Sequence, residues 1–126
     1  MAKGYKVVQV ILDGLWSFIV REDDLGFTEY QEGGWTEPND DCGPLGVFES
    51  IRHARIFRNC MKRVTCPPIT TRIYECEYTP ANGCGMWQAR WSTYTETLPL
   101  SLCPTGTLLA DKIKLGKCVE EEREDT

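Results

Sequence analysis

The stretch YKVVQVI (Tyr5–Ile11) is dense in β-branched residues and predicts a strand, and the LDG that follows, closing on Gly14, predicts a turn. LWSFIV (Leu15–Val20) then alternates loosely, with Leu15, Ser17 and Ile19 on one face and Trp16, Phe18 and Val20 on the other. Both faces are largely apolar, which predicts a strand covered on both sides or partnered by a second chain. REDDLG reads as a polar loop, FTEYQEGGWTE as a short extended piece broken at Gly33-Gly34, and PNDDCGP as a dense loop signal. LGVFES (Leu45–Ser50) predicts a short strand leading into a helix.

Ser50 is a natural N-cap, because its hydroxyl accepts from the unpaired amides of a first helical turn. From Ile51 to Lys62, steps of roughly 100° per residue gather Ala54, Ile56, Phe57, Cys60 and Met61 on one broad face. Arg55, Arg58 and Lys62 fall together on the opposite face, with Arg52 and Arg63 along one border. This amphipathic helix ends before Cys66-Pro67-Pro68.

TTRIYECEYT (Thr70–Thr79) predicts the clearest strand, its Tyr74, Cys76 and Tyr78 turned inward and Ile73, Glu75 and Glu77 alternating with them. TLLADKIKLGKCV (Thr107–Val119) predicts a last strand, with Ala110, Ile113 and Leu115 near the core and Lys112 and Lys114 outside. MWQARWSTYTETLPLSLCPTG stays open: Trp87, Arg90, Trp91 and Tyr94 share a helical face, yet Ser, Thr and Pro accumulate. The expected fold class is α+β, a small, mainly antiparallel sheet with one well-defined amphipathic helix. Residues 1–119 form a single domain and residues 120–126 an acidic, flexible tail.

Composition is that of a globular protein, 41% hydrophobic and 26% charged. A net charge of -5 disfavours a general nucleic-acid or anionic-membrane binder. The distribution changes the picture. Residues 52–63 hold five of the 14 basic side chains and no acid, leaving nine basic against 19 acidic elsewhere. An anion site is therefore expected as a local patch. The longest apolar runs fall far short of the roughly 20 residues of a membrane span. Gln9 and Asp13 interrupt the N-terminal apolar stretch, so it reads as a strand of a cytoplasmic protein rather than a signal peptide. Seven cysteines without a secretion signal argue against a disulfide framework, and their irregular spacing with a lone His53 argues against zinc. Most are expected as buried free thiols.

The set YKVV, GGW, GPLGVFES running into ARIF, IYECEY and LADKIKL resembles small, largely uncharacterised proteins encoded by phages and in prokaryotic and viral metagenomes. The likeness covers Tyr5 to Val119 and carries over no catalytic residue. It implies an accessory protein, such as an inhibitor, decoy or ligand-sequestering protein acting on host pathways.

Among candidate catalytic groups, His53 lies toward the apolar side of the helix beside Phe57 and Cys60 and reads as a satisfied, partly buried histidine. Cys60 is two turns away, about 10 Å along the axis, too far for a hydrogen-bonded Cys–His pair. No glycine-rich phosphate loop is present, and the pairs Asp23-Asp24 and Asp40-Asp41 lack the spaced oxygens of a calcium loop. PTGT (Pro104–Thr107) reads as a turn. Tyr74, Glu75 and Glu77 can supply the aromatic shelf and acid of a transferase acting on nicotinamide dinucleotide, although His53 is then on a helix rather than an early strand.

The reading favoured is a non-enzymatic phage-type accessory protein that binds a host protein or a small anionic, nucleotide-like ligand. Its expected site joins Arg52, Arg55, Arg58 and Lys62 to the stacking surfaces of Trp35, Trp87 and Trp91. No cofactor, metal or membrane partner is expected, and a homo-oligomer is. The alternatives are a small nucleotide- or NAD-directed transferase or hydrolase, and a virion or assembly component.

Overall fold

The computed structural model describes residues 2–17, 28–38, 44–62, 70–81, 85–90, 94–99 and 105–121. Its elements are β1 (Ala2–Ile11), β2 (Gly14–Ser17), β3 (Glu29–Tyr30), β4 (Trp35–Thr36), β5 (Leu45–Phe48), α1 (Ile51–Lys62), β6 (Thr71–Pro80), β7 (Gly85–Arg90), β8 (Tyr94–Pro99) and β9 (Thr107–Glu121). Among the described residues, nine strands against one helix correct the expected α+β class to a fold close to all-β. Two segments account for the change. The ambiguous region around Trp87 forms the antiparallel hairpin β7–β8, Trp87 pairing with Thr97 and Ala89 with Thr95, where threonine suits the pleat. The last strand runs on through Glu120 to Glu121, two residues into the expected tail.

Pairing in the main sheet returns on itself. β1 pairs with β6, β6 with β9, β9 with β5, and β5 meets β1 again at Phe48↔Tyr5. This closed circuit is a small barrel. β2, β3 and β4 extend it at one end, β2 pairing with β1, β3 with β2 and β4 with β9. Lys6 ties β1 to β5 where they share a single residue pair, its ammonium donating to the Gly46 carbonyl at 2.6 Å.

Closure demands strong coiling, and β9 supplies it with irregularities. Its register against β6 shifts at Ile73/Tyr74, Tyr74/Cys76 and Thr79/Pro80. Each extra residue bends the strand and increases its twist. One shift leaves Gly116 and Lys117 opposite Glu75, and a Cβ on Gly116 would stand 3.3 Å from the Glu75 carbonyl oxygen.

The two faces of the barrel wall bury different cores. Inside lie Val8, Val47, Tyr74, Ala110, Ile113 and Leu115, all buried. Outside, Val7, Phe48 and Ile73 pack against Ala54 of α1, with Ile51 and Phe57 partly buried beside them. The helix thus covers one patch of the outer wall. Its buried side is rotated from the expected face: Ala54 is fully buried, while Ile56 is 50% exposed and Cys60 is exposed. The small Ala54 lets the helix approach closely, and the Phe57 ring meets Phe48 at 5.2 Å.

Candidate functional site: the outer wall of the barrel

The N-terminus of α1 forms as Ser50 predicts, with the His53 amide donating to Ser50 Oγ at 3.2 Å. The same hydroxyl lies 2.7 Å from His53 Nδ1, and Glu49 Oε1 lies 3.7 Å from that same nitrogen. A catalytic triad needs nucleophile and carboxylate on opposite nitrogens of the ring. Here both sit on one nitrogen, and Gly106 packs against the base of the imidazole on that same Nδ1 side. A Cβ there would stand 2.8 Å from both His53 Cβ and Nδ1. His53 therefore wedges the helix start against the turn that leads into β9.

The expected basic face divides. Arg55 Nε donates to Glu120 Oε1 at 2.9 Å, and Arg58 Nη1 donates to the other oxygen, Glu120 Oε2. Arg58 also reaches Asn59 Oδ1 through Nε and Nη2. Partial burial works to raise the Glu120 carboxyl, but the hydrogen bond and charge of Arg58, then those of Arg55, outweigh it and hold it below the ordinary carboxylate range. Arg52 is exposed, with no partner among the described residues. Lys62 closes α1, and its side chain lies outside the described residues, as do the Trp87 side chain and all of Trp91.

Trp35 lies elsewhere. It pairs with Lys114 on β9, six residues before Glu120 and about 20 Å along an ordinary strand. Its exposed ring has Lys112 Nζ at 4.8 Å and Lys114 Nζ at 5.9 Å from the centroid. The structure thus joins Trp35 to β9 lysines, not to the helix arginines. Cross-strand register continues the row through Lys114↔Glu77 and Glu77↔Lys3. Beside this row a groove of about 460 Å³ opens on the outer wall, lined by Lys3, Tyr5, Glu49, Glu75, Glu77 and Lys114 among others. Gly4 and Gly116 also line it, beside the shifted register of β9.

Lys112 and Lys114 were legible as outward-facing residues of β9. Lys3 and Tyr5 gave no sequence signal, because only the three-strand register brings them beside Glu77 and Glu75.

Tyr74 is engaged on the opposite side of β6. Its hydroxyl donates to Glu32 Oε1 at 2.6 Å and accepts from Arg72 Nη1 at 3.4 Å, while Arg72 Nη2 reaches Glu121 Oε1 at 3.2 Å. Burial, then the Glu32 hydrogen bond, push the tyrosine up to about 12. Burial likewise pushes the Cys76 thiol up to about 11. Tyr74 therefore does not share a surface with Glu75 and Glu77. Among the described residues no group of three or more His, Cys, Asp or Glu side chains comes together as a metal site, and no helix is long and apolar enough to cross a membrane. No family model, curated protein or solved structure matches the chain.

Proposed function

We propose that this chain is a non-enzymatic binding protein for a small, nucleotide-like organic anion, held in the outer-wall groove and along the Trp35 edge. The observation that carries the reading is the row Trp35–Lys114–Glu77–Lys3 beside a groove of about 460 Å³. Pockets of this size suit ligands of a few hundred daltons. Lys112 and Lys114 take the anionic group, the Trp35 face takes a planar ring, and Glu77 and Glu75 accept from sugar hydroxyls. A binder rather than a catalyst is supported by His53, whose one described ring contact with both Ser50 and Glu49 is through Nδ1. The free thiols of Cys60, Cys76 and Cys118 fit a reducing, cytoplasmic setting. A ligand-sequestering role accords with the phage-type resemblance.

Calorimetric titration with a nucleotide panel tests the reading. Binding of one member, weakened at least tenfold by Lys112→Glu with Lys114→Glu and recovered unchanged after incubation, supports it. Failure of the whole panel to bind, or conversion of the ligand into product, refutes it.

A further inference from the structure

The fork that holds Glu120 is more than a tether between two elements. Two guanidinium groups three residues apart on α1 each take a different oxygen of one carboxylate. A phosphoryl group offers the same kind of paired anionic oxygens, each open to a guanidinium N–H. Donors remain beyond what Glu120 uses. The terminal nitrogens of Arg55, which is 47% exposed, have no partner among the described residues, and neither has the exposed Arg52 one turn earlier.

The occupant is also held at a weak point of the sheet. Glu120 pairs with Ile73 immediately beyond a register shift, and Glu121 with Arg72 ends the described ladder. A strand end past an irregularity opens at low cost compared with a central strand.

We propose that Arg55 and Arg58 form a phosphoryl-binding site which, in the free protein, is occupied by the chain's own Glu120 as an internal substitute for the ligand. A polyphosphate displaces the end of β9 and takes the fork, with Arg52 and the free nitrogens of Arg55 completing its shell. This site lies about 20 Å along β9 from Trp35 and does not depend on the groove.

The test uses inorganic pyrophosphate as probe, in the full chain carrying Lys112→Glu and Lys114→Glu, so that the groove contributes nothing. Removing the occupant by Glu120→Ala should tighten pyrophosphate binding at least tenfold in calorimetry. Adding Arg55→Gln with Arg58→Gln should abolish the gain. ADP in the same background separates a bare polyphosphate from a nucleotide, and an equal gain for both assigns recognition to the phosphoryl groups. Should Glu120→Ala fail to fold, the Arg55 Nε–H resonance of the chain with Glu120 intact provides the second readout. It should shift on saturation with pyrophosphate, while the Arg72 Nε–H resonance moves less. An unchanged affinity in Glu120→Ala, a gain that survives loss of both arginines, or an Arg55 resonance indifferent to pyrophosphate overturns the proposal.

Discussion

Whether His53 wedges the helix start against Gly106 can be decided by a double-mutant cycle between the two positions. Gly106 has φ +86°, a conformation that L side chains rarely adopt, and its Cα faces the imidazole so closely that an added Cβ would lie 2.8 Å from His53 Cβ. Gly106→Ala therefore carries two penalties. The left-handed backbone costs about 1–2 kcal/mol for a residue with a Cβ, and forcing a methyl into the packed ring costs about 1–3 kcal/mol. His53→Ala alone removes the Ser50 contact at 2.7 Å and costs about 1 kcal/mol. In the double variant the overlap with the ring atoms vanishes, while the 2.8 Å approach to the Cβ that alanine keeps at position 53 and the backbone penalty remain, so the two substitutions together should cost about 1 kcal/mol less than their sum. Urea unfolding of the four proteins, compared at constant m-value, measures this directly. Additivity within about 0.5 kcal/mol would mean that the imidazole does not fill the space above Gly106, and the wedge argument would fail.

Other consequences are simpler to measure. Glu120→Gln should lower stability by about 1 kcal/mol at neutral pH, at the upper end for a partly exposed pair. Because the Glu120 pKa is depressed on folding, that contribution is present above its ordinary value of 4.5 and fades as pH falls through the lower folded value, so the wild-type and Gln unfolding curves should converge in acid; a constant gap would contradict the clamp. Leu12 and Asp13 both adopt positive φ, 47° and 68°, in the two-residue turn between β1 and β2. Leu12→Asn with Asp13→Gly should stabilise by about 1 kcal/mol and raise Tm by several degrees; a fall in Tm would exclude that turn. Cys76 is 4% exposed with its thiol pushed up to about 11, whereas Cys60 is exposed on α1. Peptide mapping after alkylation at pH 8 should find Cys60 modified before Cys76, which stays protected until unfolding, and equal rates would place Cys76 at the surface.

The elements that sequence reveals here are those whose period stays unbroken. Ser50 and the helix to Lys62, the strand around Val7, and the Tyr74–Cys76–Tyr78 face all appear where local pattern puts them. β9 is the instructive case. Its inward residues run Ala110, Ile113, Leu115 and then Cys118, so the two-residue period is broken on each side of Ile113-x-Leu115 by the shifts near Thr79/Pro80 and Glu75. A spacing of three between core residues in a strand is a trace of a bulge, but pattern alone does not say which neighbour strand it bends toward. Barrel closure was illegible for a related reason, since it rests on pairs as distant in sequence as Ala2↔Tyr78 and Phe48↔Thr107. The helix face was misjudged because Arg58, only 13% exposed at its side chain, lies against the barrel and takes surface that Ile56 and Cys60 were expected to occupy.

The same contrast explains why the richest cluster of positive charge is not the most open site. Arginine's planar fork is suited to holding a carboxylate on a neighbouring element, and Arg55, Arg58 and Arg72 all do so, on Glu120 and Glu121 at the end of β9. The lysines of the outer wall are different. Lys112 and Lys114 rest against an aromatic ring, and among the described residues no carboxylate lies within ion-pair distance of Lys3, Lys112 or Lys114. An incoming anion there has no internal carboxylate to displace, while at the helix it must first dislodge Glu120. The two anion sites proposed above would therefore differ in readiness, despite a net charge of -5. With screening lengths of about 8–10 Å at physiological salt, each responds to its own neighbours rather than to the charge of the whole chain.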